Sequence, residues 1–438
     1  MDLLGFFRSA NIILGAPATI IFLCVGVILT LKTRFIQFRA LPKLWGFITK
    51  GFKRSIGEKN IKTISSFHAM FAAMATSLGM GNIVGPSVAI VAGGPGALFW
   101  LVAYTFFGGV MRFTETTFAL FTRKKTEDGD IISGPTQYLK LVHKWVANWY
   151  GVVMIILFAV WSGLQSNTLA NILAKENVPQ WWVGLALSII VLFILHGGAK
   201  RVGLVASKLV PFMFILYLSF SLIVIFKDLG ALKHALNLIF SHIFSPAAPL
   251  GAFVGSAVMN AMRSGVFRSI FITEAGLGTS SIPHSMSDAK KPVDQGLLAM
   301  YSITADAFLS FISGLLILVT GLWLTTSQID STLVYTAFKD NAPRLGDVIL
   351  IISVTLFVTT TVIGNSFNGT QSFASLTNHK WLGTYKTFTA IVIFFGSIVS
   401  VPLVWELVDF IITFVAVPNV ISLVILAFKK PEVLDINQ

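Results

Sequence analysis

The sequence predicts an all-α polytopic membrane protein of about eleven transmembrane helices, arranged as one helix followed by two inverted sets of five. Three observations carry this expectation. The 438-residue chain is 55% hydrophobic and only 12% charged, whereas an ordinary soluble domain is about a quarter charged. Apolar runs of about 20 residues, each long enough to cross a roughly 30 Å hydrocarbon core, recur along most of its length. Lysines and arginines gather in alternate connections between those runs, as the positive-inside rule requires of a polytopic chain.

Helix-length hydropathy windows place spans near 10–31, 66–91, 96–121, 148–173, 180–197, 207–226, 251–283, 295–323, 346–370, 385–403 and 405–428. The first apolar run, Asn11 to Leu31, is too long for the h-region of a signal peptide and lacks a small-residue cleavage site, so it is expected to stay as a helix. Residues 1–65 would hold this extra helix and a cytoplasmic basic loop, 66–226 the first five-helix repeat, 227–250 an external loop, 251–428 the second repeat and 429–438 a cytoplasmic tail. Each set of five opens with a glycine-rich, polar-interrupted span. An odd-membered repeat must face the opposite way on its second pass, so the halves would be inverted. One side collects 23 basic residues, nine of them from Lys32 to Lys62, against six on the other, namely Arg8, Lys175, Lys227, Lys233, Lys339 and Arg344. That imbalance puts the N-terminus outside and the C-terminus in the cytoplasm of a bacterial-type inner membrane.

The same features exclude several classes of function. A formal charge of +13 could suggest nucleic acid, but the basic residues sit in short segments between apolar runs, where membrane topology accounts for them. The single cysteine, Cys24, lies inside the first apolar run, which rules out an intramolecular disulfide and a thiolate metal cluster. The seven histidines show no metal-ligand spacing. No nucleophile, base and orienter recur at a recognisable spacing, and there is no phosphate-binding loop, so neither an enzyme nor a bound cofactor is expected.

The second span reads Ala75 Thr76 Ser77 Leu78 Gly79 Met80 Gly81 Asn82 Ile83 Val84 Gly85 Pro86. Glycine costs about 1 kcal/mol in a helix and proline about 3, so this run should unwind locally. Unwound backbone at membrane depth is tolerated only where it is buried in protein or lines a cavity. Its freed carbonyls can ligate a cation, and the N-terminus of the resuming half-helix can hold a carboxylate. The competing reading is close helix packing through small residues. In the seventh span, Arg263, Arg268 and Glu274 are intramembrane charges that must pair or face water. Glu274 could ligate a cation, latch a gate, or pair with an arginine. Gln165, Ser166 and Asn167 in the fourth span, and Thr359, Thr360, Thr361, Asn365, Ser366 and Asn368 in the ninth, supply hard oxygen ligands and amides. Arg112 and Glu115, three apart in the third span, are expected to form a structural pair. Asp306 stands isolated in the eighth, with coupling and structural roles both open.

At GMGNIVGPSVAIVAGGPGALFW, Gly79 to Trp100, the chain resembles the alanine or glycine:cation symporter family, whose hallmark is a GxGNIxG segment followed by a GGPGAxFW turn. The resemblance continues in Arg112, Phe113 and Glu115, in Gln165 Ser166 Asn167, in FITEAGLGTSS from Phe271 to Ser281, and in Pro292 and Gly296. It implies an inverted five-plus-five leucine-transporter fold with one added N-terminal helix, and sodium-driven uptake of a small neutral amino acid such as alanine or glycine. By motif position Asn82 and Gln165 would contact substrate, with the glycines Gly79 and Gly81 as the site wall. Thr361 would lie near both substrate and cation, and Ala75, Leu78 and Thr360 would complete the cation set. Arg112, Glu115, Arg268, Thr273, Glu274 and Asp306 remain as gate or structural polar groups. Proton coupling stays open because Asp306 and Glu274 could titrate, and a channel is the rival of a different class. Three positions depart from the family pattern: Met80 replaces a small polar residue, Thr273 an asparagine, and Asn365 the tryptophan of a GWSYYG-like segment. Asparagine in place of tryptophan leaves more room and adds hydrogen-bonding groups, so Asn365 is expected to join the substrate-binding residues and to relax the substrate range or shift it toward a larger or more polar amino acid.

Overall fold

The computed structural model describes residues 3–43, 46, 63–126, 131–244, 254–324, 333–342, 345–399 and 401–436, and of residues 254–257 and 401–404 the backbone alone. The helices run in the order α1 (Leu3–Lys32), α2 (Ile36–Arg39), α3 (Ser66–Ser77), α4 (Met80–Gly93), α5 (Ala97–Phe121), α6 (Pro135–Leu139), α7 (Lys144–Ala174), α8 (Gln180–Leu195) and α9 (Gly198–Phe226). They continue as α10 (Leu229–Ser241), α11 (Val254–Thr273), α12 (Ser281–Ser285), α13 (Pro292–Val319), α14 (Leu333–Asn341), α15 (Leu345–Thr377), α16 (Leu382–Gly396) and α17 (Val401–Lys429). Among the described residues, one antiparallel ribbon pairs β1 (Lys124–Lys125) with β2 (Ile131–Ile132). The basic loop predicted within 1–65 lies largely outside the described residues.

Among the described residues, seven helices are long and apolar enough to cross a membrane, eight if the bent pair α3–α4 is counted as one span. The predicted spans at 180–197 and 385–403 correspond to α8 and α16, apolar but short at 16 and 15 residues. The span at 251–283 is interrupted: α11, with Arg263 and Arg268, stops at Thr273, and the chain runs without helix to α12. The segment predicted as an external loop at 227–250 carries α10, whose N-terminus is capped by the Asp228 carboxylate accepting from the Ala231 N–H at 2.8 Å.

Helix polarity is fixed by contacts at both ends. Arg8 and Asn11 near the start of α1 bond to Glu406 near the start of α17, at 3.4 and 2.8 Å. The Lys32 ammonium at the end of α1 lies 4.4 Å from the Phe428 ring at the end of α17. The two helices are therefore parallel, and the two chain ends emerge on opposite faces. The two interrupted helices run antiparallel, α4 packing on α11 and α3 on α12. Where α3 begins, the Ile64 N–H bonds to the Met286 carbonyl at 3.2 Å, and Asp288 accepts from the Ser66 N–H at 3.0 Å. Arg123 reaches the Ser287 and Ala289 carbonyls on that face, at 2.7 and 3.1 Å. The start of α3, the end of α5 and the end of α12 thus share one side of the bundle.

Candidate functional site: two helix breaks facing each other

The first break lies where the glycine run predicts it. α3 ends at Ser77, Leu78 and Gly79 leave helical geometry, and α4 resumes at Met80 with a 42° change of direction. The freed Leu78 carbonyl accepts the Thr361 hydroxyl of α15 at 3.2 Å. A methyl on Gly79 would stand 2.5 Å from that same hydroxyl oxygen, so α15 can come this close only because residue 79 has no side chain. The first turn of α4 leaves N–H groups without intrahelical acceptors. Two of these donors are taken: Gly79 N–H donates to Asn82 Oδ1 at 3.0 Å and Met80 N–H to Gln165 Oε1 at 3.3 Å. Asn82 and Gln165, expected as substrate contacts, thus also fasten the break. The Asn82 amide nitrogen spans onward to the Asp306 carbonyl and Ser310 hydroxyl of α13, both at 3.4 Å.

The second break runs from Glu274 to Ser280. Glu274 takes a positive φ of 54°, and Gly276 and Gly278 take 90° and 81°, conformations an ordinary side chain rarely adopts. Its carbonyls are satisfied from neighbouring helices. Tyr104 donates to the Ala275 carbonyl at 2.9 Å, Asn419 to that of Gly276 at 2.9 Å, and Tyr150 to that of Leu277. Such partners are what non-helical backbone at membrane depth requires. Thr273, at the end of α11, bonds back to the Ser269 carbonyl at 2.6 Å and accepts from the Ala275 N–H at 3.4 Å.

Hydrogen bonds join the breaks. Glu274 Oε2 accepts the Thr76 hydroxyl of α3 at 3.2 Å and the Thr279 hydroxyl, while Glu274 Oε1 is buried with no partner among the described residues. No hydrogen bond or ion pair joins Glu274 to an arginine among the described residues, which removes that reading of it. Arg112 is fully buried and donates to Asp306 at 3.0 Å, to Ser280 at 2.9 Å and to Ser77 at 3.4 Å. The expected Arg112–Glu115 pair is corrected here: the guanidinium turns toward Asp306, and Glu115 accepts from Asn419 at 2.9 Å instead. Three residues along a helix put two side chains on one face only broadly, and a carboxylate on α13 competes successfully for the arginine. Asp306 is consequently not isolated.

One side of the first break is covered by aromatic rings. Phe271 lies against Gly81 and packs between Trp161 and Trp405, with ring centroids 5.1 Å apart in both pairs. Arg268 stacks over Trp405 at 5.3 Å and pairs with Asp409 of α17. Of the expected cation set, Leu78 and Thr361 meet at the break, and Ala75 is buried in the last turn of α3. Thr360 does not join them, because its hydroxyl bonds to the Leu356 and Phe357 carbonyls at 2.9 and 3.0 Å and faces Met213. Successive helical residues diverge by about 100°, so only one of the two threonines can face α3. Asn365, one turn beyond Thr361, is fully buried, and neither its Oδ1 nor its Nδ2 has a hydrogen-bond partner among the described residues. Sequence reasoning missed Tyr104, Asn419, Ser310 and Asp409, whose residue types are common in membrane helices and carry no positional signal of their own.

Known proteins resemble this chain in fold and in sequence. The solved structure of MhsT in complex with L-phenylalanine superposes with a TM-score of 0.61 at 17% identity, covering 84% of this chain and 90% of that one, a likeness of fold. The sodium/alanine symporter AgcS of Methanococcus maripaludis is 30% identical over 98% of this chain and 95% of its own. An uncharacterized transporter of Haemophilus influenzae is 32% identical over 94% and 91%. The sequence pattern of the sodium:alanine symporter family matches residues 3–435. With that match and those two broken helices, the chain belongs to the sodium:alanine symporter family.

Proposed function

We propose that this protein imports a small neutral amino acid together with sodium, by alternating access around the two facing breaks. Family membership makes it a secondary transporter of a small amino acid, a transport protein rather than an enzyme. The observation that carries the site is the junction of Leu78, Gly79 and Thr361. There a freed carbonyl, a hydroxyl and the N-terminus of α4 converge in a buried, non-helical segment. A carboxylate suits the N–H groups in the first turn of α4, among them that of Gly81, for which the described residues offer no acceptor. Sodium, a hard cation, suits the Ala75 and Leu78 carbonyls with the Thr361 hydroxyl. Binding energy from both ligands then shifts the equilibrium between outward and inward forms, to the extent that each form binds them differently.

The antiparallel packing of α3–α4 against α11–α12 supports two inverted five-helix repeats, at 66–226 and 251–428, after one extra helix, and with them about eleven crossings. The imbalance of basic residues between alternate connections supports an external N-terminus and a cytoplasmic C-terminus in a bacterial-type inner membrane. A second reading, proton coupling, draws on the unpartnered Oε1 of buried Glu274, which could take a proton as well as a cation.

Amino-acid binding to the purified protein, followed by thermal shift with and without sodium, tests the assignment. Alanine or glycine should stabilise the protein in sodium and not in potassium. Asn82→Ala and Gln165→Ala should each lose that shift while staying folded, since each bonds an N–H of the break. An undiminished shift in both variants would sink the site.

A further inference from the structure

We infer that Asn365 reads the substrate's side chain and that the preferred substrate carries a carboxamide, the group borne by asparagine and glutamine. The inference rests on the proposed amino-acid site and names the substrate class it takes.

Asn365 is 0% exposed, and both ends of its amide are unpartnered among the described residues. Because both atoms are unpaired, exchanging the oxygen and nitrogen positions would not relieve it. Buried polar groups nearly always have partners, so an amide left entirely unpaired calls for one that arrives from outside the fold. Its position on α15 shows where that partner would come from. Thr361 touches the Leu78 carbonyl, Gly364 lies against Thr76, and the Asn368 amide donates to the Thr279 carbonyl at 3.5 Å. Residues 361, 364, 365 and 368 form one helical stripe, and three of them meet the broken helices. Asn365 is thus on the side of α15 that faces the breaks.

Distance and polarity narrow the ligand. Asn365 lies about 6 Å along the helix from Thr361 at four residues' rise. A side-chain group one or two methylenes beyond Cα spans that gap when the ligand's carboxylate rests at the start of α4. A cation would satisfy Oδ1 and leave the amide N–H groups bare. A carboxylate would satisfy the N–H groups and repel Oδ1. A carboxamide answers both at once, by one donated and one accepted hydrogen bond in a common plane.

The test is a sodium-dependent competition series on the full-length protein in liposomes, using alanine, glycine, serine, asparagine, glutamine and aspartate. Asparagine or glutamine should bind roughly ten- to a hundredfold more tightly than alanine, the range expected when a buried unpaired amide gains its partners. Asn365→Leu, close in volume and apolar, should erase that preference, so that asparagine and glutamine compete no better than alanine in the same variant. Asn365→Ala should do the same if the leucine variant misfolds. Alanine, glycine or serine binding more tightly than both carboxamides in the unaltered protein would overturn the inference, as would an unchanged profile in the variants. Failure of the underlying site looks different, because then no amino acid would compete in a sodium-dependent way.

Discussion

Arg112 is the residue on which the centre of the molecule depends. It is fully buried, and its donors reach the ends of both broken helices and Asp306 on α13. Removing one partner of such a pair leaves an uncompensated charge, which costs about 3–5 kcal/mol, whereas replacing both by apolar groups can be close to neutral. Arg112→Ala should therefore lower the unfolding midpoint in detergent sharply. Arg112→Met combined with Asp306→Leu should recover much of the stability while transport stays lost, because the ties to Ser77 and Ser280 are gone. Equal destabilisation by the single and double variants would show that the ion pair is not what holds this site. The resemblance picked out Arg112 from its motif, but no spacing in the sequence pointed to Asp306, 194 residues away. The local rule chose Glu115 instead, because a one-dimensional pattern ranks near neighbours above distant ones.

At the scale of elements, the glycines of the first break work as points of contact. A methyl on Gly79 would meet the Thr361 hydroxyl at 2.5 Å, and one on Gly364 would meet the Thr76 side chain at the same distance. Either α15 or α3 would have to move, and the Leu78–Thr361 contact would go with it. Gly79→Ala and Gly364→Ala should each reduce sodium-dependent uptake at least tenfold in reconstituted vesicles, while the circular dichroism of the helices is kept. Uptake near the unaltered level in Gly79→Ala would show that α15 does not need this approach. The sequence made the first break plain, since glycines and an asparagine clustered within one turn weaken a membrane helix at that turn more than anywhere else along it. The second break was only partly legible. EAGLG marks flexible backbone, but its irregular path is held by Tyr104, Tyr150 and Asn419 from three other helices.

For the whole molecule, parallel α1 and α17 put the start of one and the end of the other on opposite faces, and Arg123 after α5 lies beside the connection after α12. Green fluorescent protein fused after Gln438 should fluoresce, and alkaline phosphatase fused after Asp228 should be active. The reverse pattern would invert the orientation. On the opposite face from the basic connections, Arg268 and Asp409 join α11 to α17 beside the Trp161–Phe271–Trp405 cluster. Opening the site toward that face must part these groups. Asp409→Asn should make a cysteine placed at Ala89, a residue buried on α4, react faster with a membrane-impermeant maleimide in a Cys24→Ser background. An unchanged rate would mean that the pair does not hold the closed form.

Composition, hydropathy and the glycine run by themselves determined that this chain crosses a membrane many times and where the first helix breaks. These follow from rules that act along the chain: the cost of glycine in a helix and the thickness of the bilayer. Only the tertiary structure decided that Arg112 pairs with Asp306, that Thr361 and not Thr360 meets the break, and that the Asn365 amide is buried unpaired. Those facts depend on which helix faces which, and that is set by packing among segments hundreds of residues apart.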